Sequence, residues 1–241
     1  RALGQLVSSQ LDVDRMDYLL RDSLMTGAKY GVFDLEWIIK SIGIDTSEDR
    51  MFVSPAGIAA VEDYLQARYY MFRQVYFHRT LRSAESVLKS ILTRAMHLYA
   101  RGGDVWHIAG SPFEKILKGE RLALDEHLGT DDSDVIFHIK QWRRSSDAIL
   151  ADLAARFVDR RLFKAFDLDM ATDERERFLA RMREIVESRG FDPAYYVVED
   201  SAKHADYYFY SRDTDDVRNL IFVEDGYSSP RIREISEVSA A

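Results

Sequence analysis

The 241-residue chain has no cysteine, only four prolines and twelve glycines. Without thiols it can build no disulfide framework, thiolate zinc site, iron–sulfur cluster or cysteine nucleophile, a composition that fits a reducing cytoplasm. No apolar run approaches the roughly 18 residues needed to span a bilayer, and no signal-peptide pattern opens the chain, so no membrane association is expected. Positive charge is in deficit: 33 Lys and Arg against 41 Asp and Glu leave a formal net charge of −8. That balance argues against bulk nucleic-acid binding, while leaving room for a local basic spot that holds a phosphate. The His-Glu-x-x-His, Gly-x-Ser-x-Gly, Walker A and Gly-x-Gly-x-x-Gly signatures are all missing. The six histidines, His78, His97, His107, His127, His138 and His204, include no i, i+4 pair, so none forms a self-contained metal site. His204-Ala-Asp206 reads as a surface turn. Asp131-Asp132 with Asp134 lacks the glycine and distal glutamate of a calcium loop and reads as a helix N-terminus.

What is present is a large apolar complement, 46% of the residues, spaced mostly at i, i+3 and i+4. This pattern predicts a mainly α protein, a helical bundle with a small α+β region at its C-terminal end. A first helix runs from Asp12 to Thr26 and stops at Gly27. Asp34 is placed as the N-cap of a second helix over Leu35–Ile42, closed by Gly43, and Pro55 as the start of a third. Arg50–Ser54 reads as a short strand. Residues 58–101 contain neither Gly nor Pro, and as one straight helix they would extend about 66 Å, against a diameter of about 45 Å for a compact globule of this length. The helix therefore either bends or breaks, or reaches another subunit. The second option is preferred, which makes a homo-oligomer the expectation. Shorter helices are expected over 112–118, 133–142, 146–161 and 173–189. Ala194-Tyr-Tyr-Val-Val, Tyr207-Tyr-Phe-Tyr, Leu220-Ile-Phe-Val and the segment from Ile232 to Val238 read as strands of an antiparallel sheet. The division is accordingly set at 1–160 and 161–241.

The first helix carries the clearest chemical pattern. At about 100° per residue, with Asp14 at zero, Tyr18 falls near 40°, Asp22 near 80° and Arg15 near 100°. Val13, Met16, Leu20 and Leu24 fall at about 200–280° and are read as the core stripe. By spacing alone the polar patch is first a solvated face with one tyrosine. Its alternative is a nucleotide site: a carboxylate for a divalent ion, Arg15 for phosphate oxygens, Tyr18 and Asp22 for a sugar.

The run Ser8-Ser-Gln-Leu-Asp-Val-Asp-Arg-Met-Asp-Tyr-Leu-Leu-Arg-Asp-Ser-Leu-Met-Thr-Gly27, followed by Gly31-Val-Phe-Asp34, resembles the HD-domain dNTP triphosphohydrolases, a family that includes bacterial dGTPase-like enzymes. Tyr70-Met-Phe-Arg-Gln-Val-Tyr-Phe-His-Arg-Thr80 with Arg82 is similar to that family's long helix beside the same pocket, and Pro230 to Val238 to the C-terminal strand of bacterial members. The resemblance implies a metal-dependent phosphohydrolase that splits a deoxynucleotide into nucleoside and triphosphate. It makes Asp14 the last metal ligand, for Mg, Mn, Fe, Ni or Zn. Arg15 becomes a triphosphate contact, and Tyr18 and Asp22 the readers of the sugar. Arg73, His78, Arg79 and Arg82 become further phosphate or base contacts, although as residues they also read as a basic solvated face. The family's His…His-Asp set is missing, for the chain has no His-Asp dipeptide. In the family it lies N-terminal to this helix, so the chain is expected to begin inside the HD domain and to be inactive alone. Two other readings stay open: a catalytically incomplete nucleotide-binding and oligomerisation module, and an HD phosphohydrolase acting on another nucleotide.

Overall fold

The computed structural model describes residues 2–200, 219–225 and 231–238. Eleven α-helices and four short strands are formed among them. By packing, the chain divides into two compact units, Arg1–His78 with Ala202–Ala241, and Arg79–Ser201. The 160/161 position expected from composition lies inside the second unit.

The first unit begins with α1 (Ala2–Val7) and α2 (Val13–Thr26), followed by α3 (Leu35–Ser41) and α4 (Ile58–Met71). Asp34 caps α3 as expected, its carboxylate accepting from the Trp37 amide at 2.9 Å. Gly43 does not close α3. It lies in strand β1 (Ile42–Asp45), which pairs antiparallel with β2 (Arg50–Val53). Strand β2 then pairs in parallel with β3 (Phe222–Asp225), and β3 antiparallel with β4 (Arg231–Glu234), giving the order β1-β2-β3-β4. The sheet is thus mixed, and half of it comes from the N-terminal part of the chain. Leu19, Ile38, Val53, Val61, Tyr64, Met71 and Val223 are fully buried and form the core between these helices and the sheet.

The uninterrupted helix over 58–101 is not formed. α4 ends at Met71, a π-helical turn follows over Phe72–Tyr76, and α5 starts at Arg79. The Phe77 amide bonds back five residues to the Phe72 carbonyl at 2.8 Å, and Phe77 itself leaves helical geometry with φ −105° and ψ 19°. The cause is local. Phe72, Val75, Tyr76 and Phe77 are aromatic or β-branched and hold a helix weakly, while the Phe72 ring packs on Tyr76 and Phe77 at 5.0 and 5.9 Å. α5 spans only ~33 Å, so helix length no longer calls for a second subunit.

The second unit contains α5 (Arg79–Ala100), α6 (Pro112–Lys118), α7 (Leu124–Leu128), α8 (Asp132–Trp142), α9 (Ala148–Val158), α10 (Thr172–Ser188) and α11 (Pro193–Tyr196). Val87, Ile91 and Ala95 repeat at four-residue spacing along α5 and meet Ile139, Trp142, Leu150 and Leu153 in a separate core. Asp131 caps α8, as its acidity suggested, accepting from the Ser133 amide at 2.7 Å. The segment read as the strand Ala194-Tyr-Tyr-Val-Val begins instead in the short helix α11, and Val197 and Val198 follow it outside any strand. Asp192 caps it at 2.9 Å from the Ala194 amide and Pro193 occupies its first turn, and this start signal outweighs the β-propensity of the tyrosines and valines. The expected strand at Tyr207–Tyr210 and the pair His204 and Asp206 lie outside the described residues. Among the described residues no helix is long and apolar enough to cross a membrane.

Candidate functional site

Helix α2 is fixed at both ends by its own sequence. The Asp12 carboxylate accepts from the Arg15 amide at 2.7 Å, and Gly27 closes the helix with φ +73°. Between these caps the buried face is Met16, Leu19 and Ser23, not the expected stripe. Met16 lies inside and Leu20 is half-buried, but Val13 and Leu24 are 58% and 81% exposed. A small polar residue made the difference. Ser23 is buried because its hydroxyl donates to the Ala28 carbonyl at 2.5 Å, so it takes a core position that apolar periodicity does not count. Gly31 lets the chain close against this face: a Cβ there would stand 2.8 Å from the Leu19 carbonyl oxygen.

This rotation turns the polar patch toward the protein. Arg15, Tyr18 and Asp22 are half-buried on the shoulder of α2, and Asp14 is exposed beside them. Arg15 is held from behind, its guanidinium donating to the Ser9 carbonyl and to the carboxylate of Asp12, which is itself buried. The Tyr18 ring meets Tyr76 edge-on at 6.0 Å, and the Tyr76 hydroxyl donates to Asp22 at 2.7 Å. Burial, and then the bond to the Asp22 carboxylate, push the Tyr76 phenol above its ordinary pKa, and burial does the same at Tyr18. Both hydroxyls are therefore neutral donors at physiological pH.

Four further residues complete the cluster that the sequence reading did not place in the site: Gln10, Tyr64, Arg68 and Tyr76. Arg68, on α4, is 3% exposed and donates to the Gln10 side-chain carbonyl. Tyr64 donates to the Gln10 backbone carbonyl at 2.9 Å. Burial lowers the Arg68 pKa from its ordinary value, the neighbouring Tyr64 works against that shift, and the Arg15 cation adds to it. The signal for Arg68 was available in the sequence: Val61, Tyr64, Arg68 and Met71 repeat at helical spacing, so a cation occupies a core stripe, and such a cation is seldom idle.

The remaining predicted residues are placed as follows. Arg73 is exposed and donates to the Tyr69 hydroxyl at 3.1 Å, and His78 is exposed. Arg79 and Arg82 belong to the second unit, where Arg79 pairs with Asp167, and Arg82 with Asp200 at 2.7 Å and Glu85 at 2.6 Å. Metal ligation is also incomplete. Among the described residues no three His, Asp or Glu side chains converge to hold an ion, and a divalent cation needs about four or more ligands where Asp14 offers one. Asp14 accepts no side-chain bond among the described residues.

Residues 33–104 match the family described as the HD associated region. The chain is 37% identical over 235 residues to the uncharacterized protein YwfO of Bacillus subtilis, covering 98% of this chain and 52% of that protein. It is 35% identical over 97 residues to the HD domain-containing protein L394 of Acanthamoeba polyphaga mimivirus, covering 38% of this chain and 20% of that one. In solved structures, a phosphohydrolase from Bacteroides thetaiotaomicron superposes on all of this chain with a TM-score of 0.76 and 28% identity, the match covering 59% of that protein. A hypothetical protein from Aquifex aeolicus shares the fold at a TM-score of 0.55 and 19% identity, over 98% of this chain and 52% of that one. The chain thus spans a little over half the length of the relatives that match it throughout. The chain carries the HD associated region at residues 33–104 and shares the fold of the Bacteroides phosphohydrolase along its whole length.

Proposed function

We propose that this chain carries the nucleotide-holding part of a metal-dependent HD-domain phosphohydrolase that converts a dNTP into nucleoside and triphosphate. The observation that carries the reading is the α2 shoulder, where an exposed carboxylate, a guanidinium fixed from behind, Tyr18 and Asp22 follow one another along one helix and Tyr76, from the turn after α4, meets Tyr18 and Asp22. Arg15 would take phosphate oxygens, because Ser9 and Asp12 already hold its guanidinium and little freedom is lost on binding. The neutral Tyr18 and Tyr76 phenols with Asp22 form an aromatic wall with a polar tip, suited to a sugar face and its hydroxyl. Packing of Tyr18 against the sugar would favour deoxyribose. Asp14 would contribute one ligand to a divalent ion, which supplies Lewis-acid activation of water and neutralises phosphate charge. Arg73, His78, Arg79 and Arg82 are proposed as outer contacts to phosphate or base; Arg79 and Arg82 would have to exchange their present carboxylates for the ligand.

The test uses the full-length protein with each dNTP and Mg²⁺ or Mn²⁺, separating triphosphate from other products by ion chromatography. Triphosphate release is expected; pyrophosphate or orthophosphate as the first product would refute the reading. Asp14→Ala should lower turnover about 100-fold or more. Because Asp14 is exposed, stability should change by no more than about 0.5 kcal/mol. Turnover close to wild type would remove Asp14 from the site.

A further inference from the structure

The loop between α1 and α2 does more than connect two helices. Over four residues it touches both cations of the site: the Ser9 carbonyl and the Asp12 carboxylate accept from Arg15, and the Gln10 side chain accepts from Arg68. Gln10 is itself only 8% exposed and anchored a second time, by the Tyr64 hydroxyl on its backbone carbonyl at 2.9 Å. Ser9 stiffens the loop from within, its hydroxyl accepting from the Leu11 amide at 3.1 Å.

The choice of acceptor matters. An amide oxygen fixes a guanidinium in direction and adds no negative charge, whereas a carboxylate in the same place would fix it and offset its charge. Arg15 is held by a carboxylate, Arg68 by an amide. Arg68 is also within electrostatic reach of Arg15 and Tyr18, and in surroundings this dry its field is weakly screened. We propose that Gln10 is a positioning residue: it orients the buried Arg68, so that the positive field of Arg68 acts on a polyphosphate bound at the α2 shoulder. The inference rests on the phosphate-binding part of the function proposed above.

Gln10→Glu in the full-length protein is the discriminating variant, because it keeps the size and the acceptor oxygen and exchanges the amide NH2 for a second oxygen that brings a negative charge. Affinity for inorganic tripolyphosphate, measured by calorimetry, should fall about tenfold or more, and KM for a dNTP should rise in parallel with a smaller change in kcat. Thermal stability should stay near wild type, since the charge-assisted hydrogen bond from Arg68 keeps its acceptor and the new attraction is offset by burying a carboxylate. A residue with a merely structural role would bind tripolyphosphate as wild type does, and that result overturns the inference even if dNTP hydrolysis is confirmed. Weaker tripolyphosphate binding in a protein that releases no triphosphate from any dNTP would sustain Gln10 and reject the substrate. Wild-type protein that binds no tripolyphosphate rejects both. Gln10→Met, which removes the acceptor, should also weaken binding; if it fails to fold, Gln10→Glu still decides.

Discussion

A histidine inside a helical core shows what single residues contribute here. His138 is 1% exposed, its ring stacked on Phe113 at 3.8 Å, and one ring nitrogen, Nδ1, bonds the Asp134 carbonyl at 2.7 Å. Nδ1 is therefore the protonated nitrogen in the neutral ring, and Nε2 is buried without a partner among the described residues. Burial lowers the His138 pKa below its ordinary value, opposed by Asp134 and reinforced by His107. The neutral form is then favoured in the folded state. Its stabilising contribution is fully present above the unfolded value of about 6.5 and is lost as pH falls through the lowered folded value. Melting temperature should drop between pH 7 and pH 5, and His138→Leu should make that drop smaller; an unchanged drop would remove His138 as its source. The same scale separates what could be read from what could not. Asp14, Arg15, Tyr18 and Asp22 share one helix, so i, i+4 spacing assembled them on paper. Tyr76 reaches Asp22 across 54 residues and Arg68 reaches Gln10 across 58, and no local period reports such a meeting.

Among the elements, helix ends were the easiest to read and helix faces the hardest. Asp12 and Gly27, Asp34, and Asp131 terminate their helices through bonds made within three residues, which the sequence specifies directly. The face of α2 depended on Ser23 finding the Ala28 carbonyl, and the break after Phe72 on rings that pack around a π-turn. Asp12 has both a capping and a pairing role. Removing it as Asp12→Ala deletes a cap worth about 1 kcal/mol and leaves the half-buried Arg15 without its carboxylate, a loss moderated by the part of Arg15 that water still reaches. Urea unfolding should show a loss of about 2–4 kcal/mol, and a loss under about 0.5 kcal/mol would mean that neither role matters. α11 carries a similar lesson. Its tyrosines serve tertiary bonds, Tyr195 to Arg94 at 3.2 Å and Tyr196 to Asp152 at 2.8 Å, where β-propensity suggested sheet packing.

For the whole molecule, two cores imply two centres of stability. Leu153 is fully buried in the second, and Leu153→Ala should cost about 2–5 kcal/mol. Hydrogen exchange should then accelerate across residues 79–200 before it does in residues 2–78, whereas uniform acceleration would show that the units unfold as one. The mixed sheet belongs to this scale too. Val53 pairs with Val223 in parallel across 170 positions, and neither segment carries a mark of the other. The sequence by itself determined the mainly helical content, the helix ends at Asp12, Gly27, Asp34 and Asp131 and the polar order of α2, because each is set by bonds and periods within a few residues. Only the tertiary structure decided which face of α2 turns inward, that the chain breaks after Met71, and that Gln10, Tyr64, Arg68 and Tyr76 gather around Arg15, Tyr18 and Asp22. Those outcomes depend on which distant groups satisfy buried donors and acceptors, a condition that only the folded chain can meet.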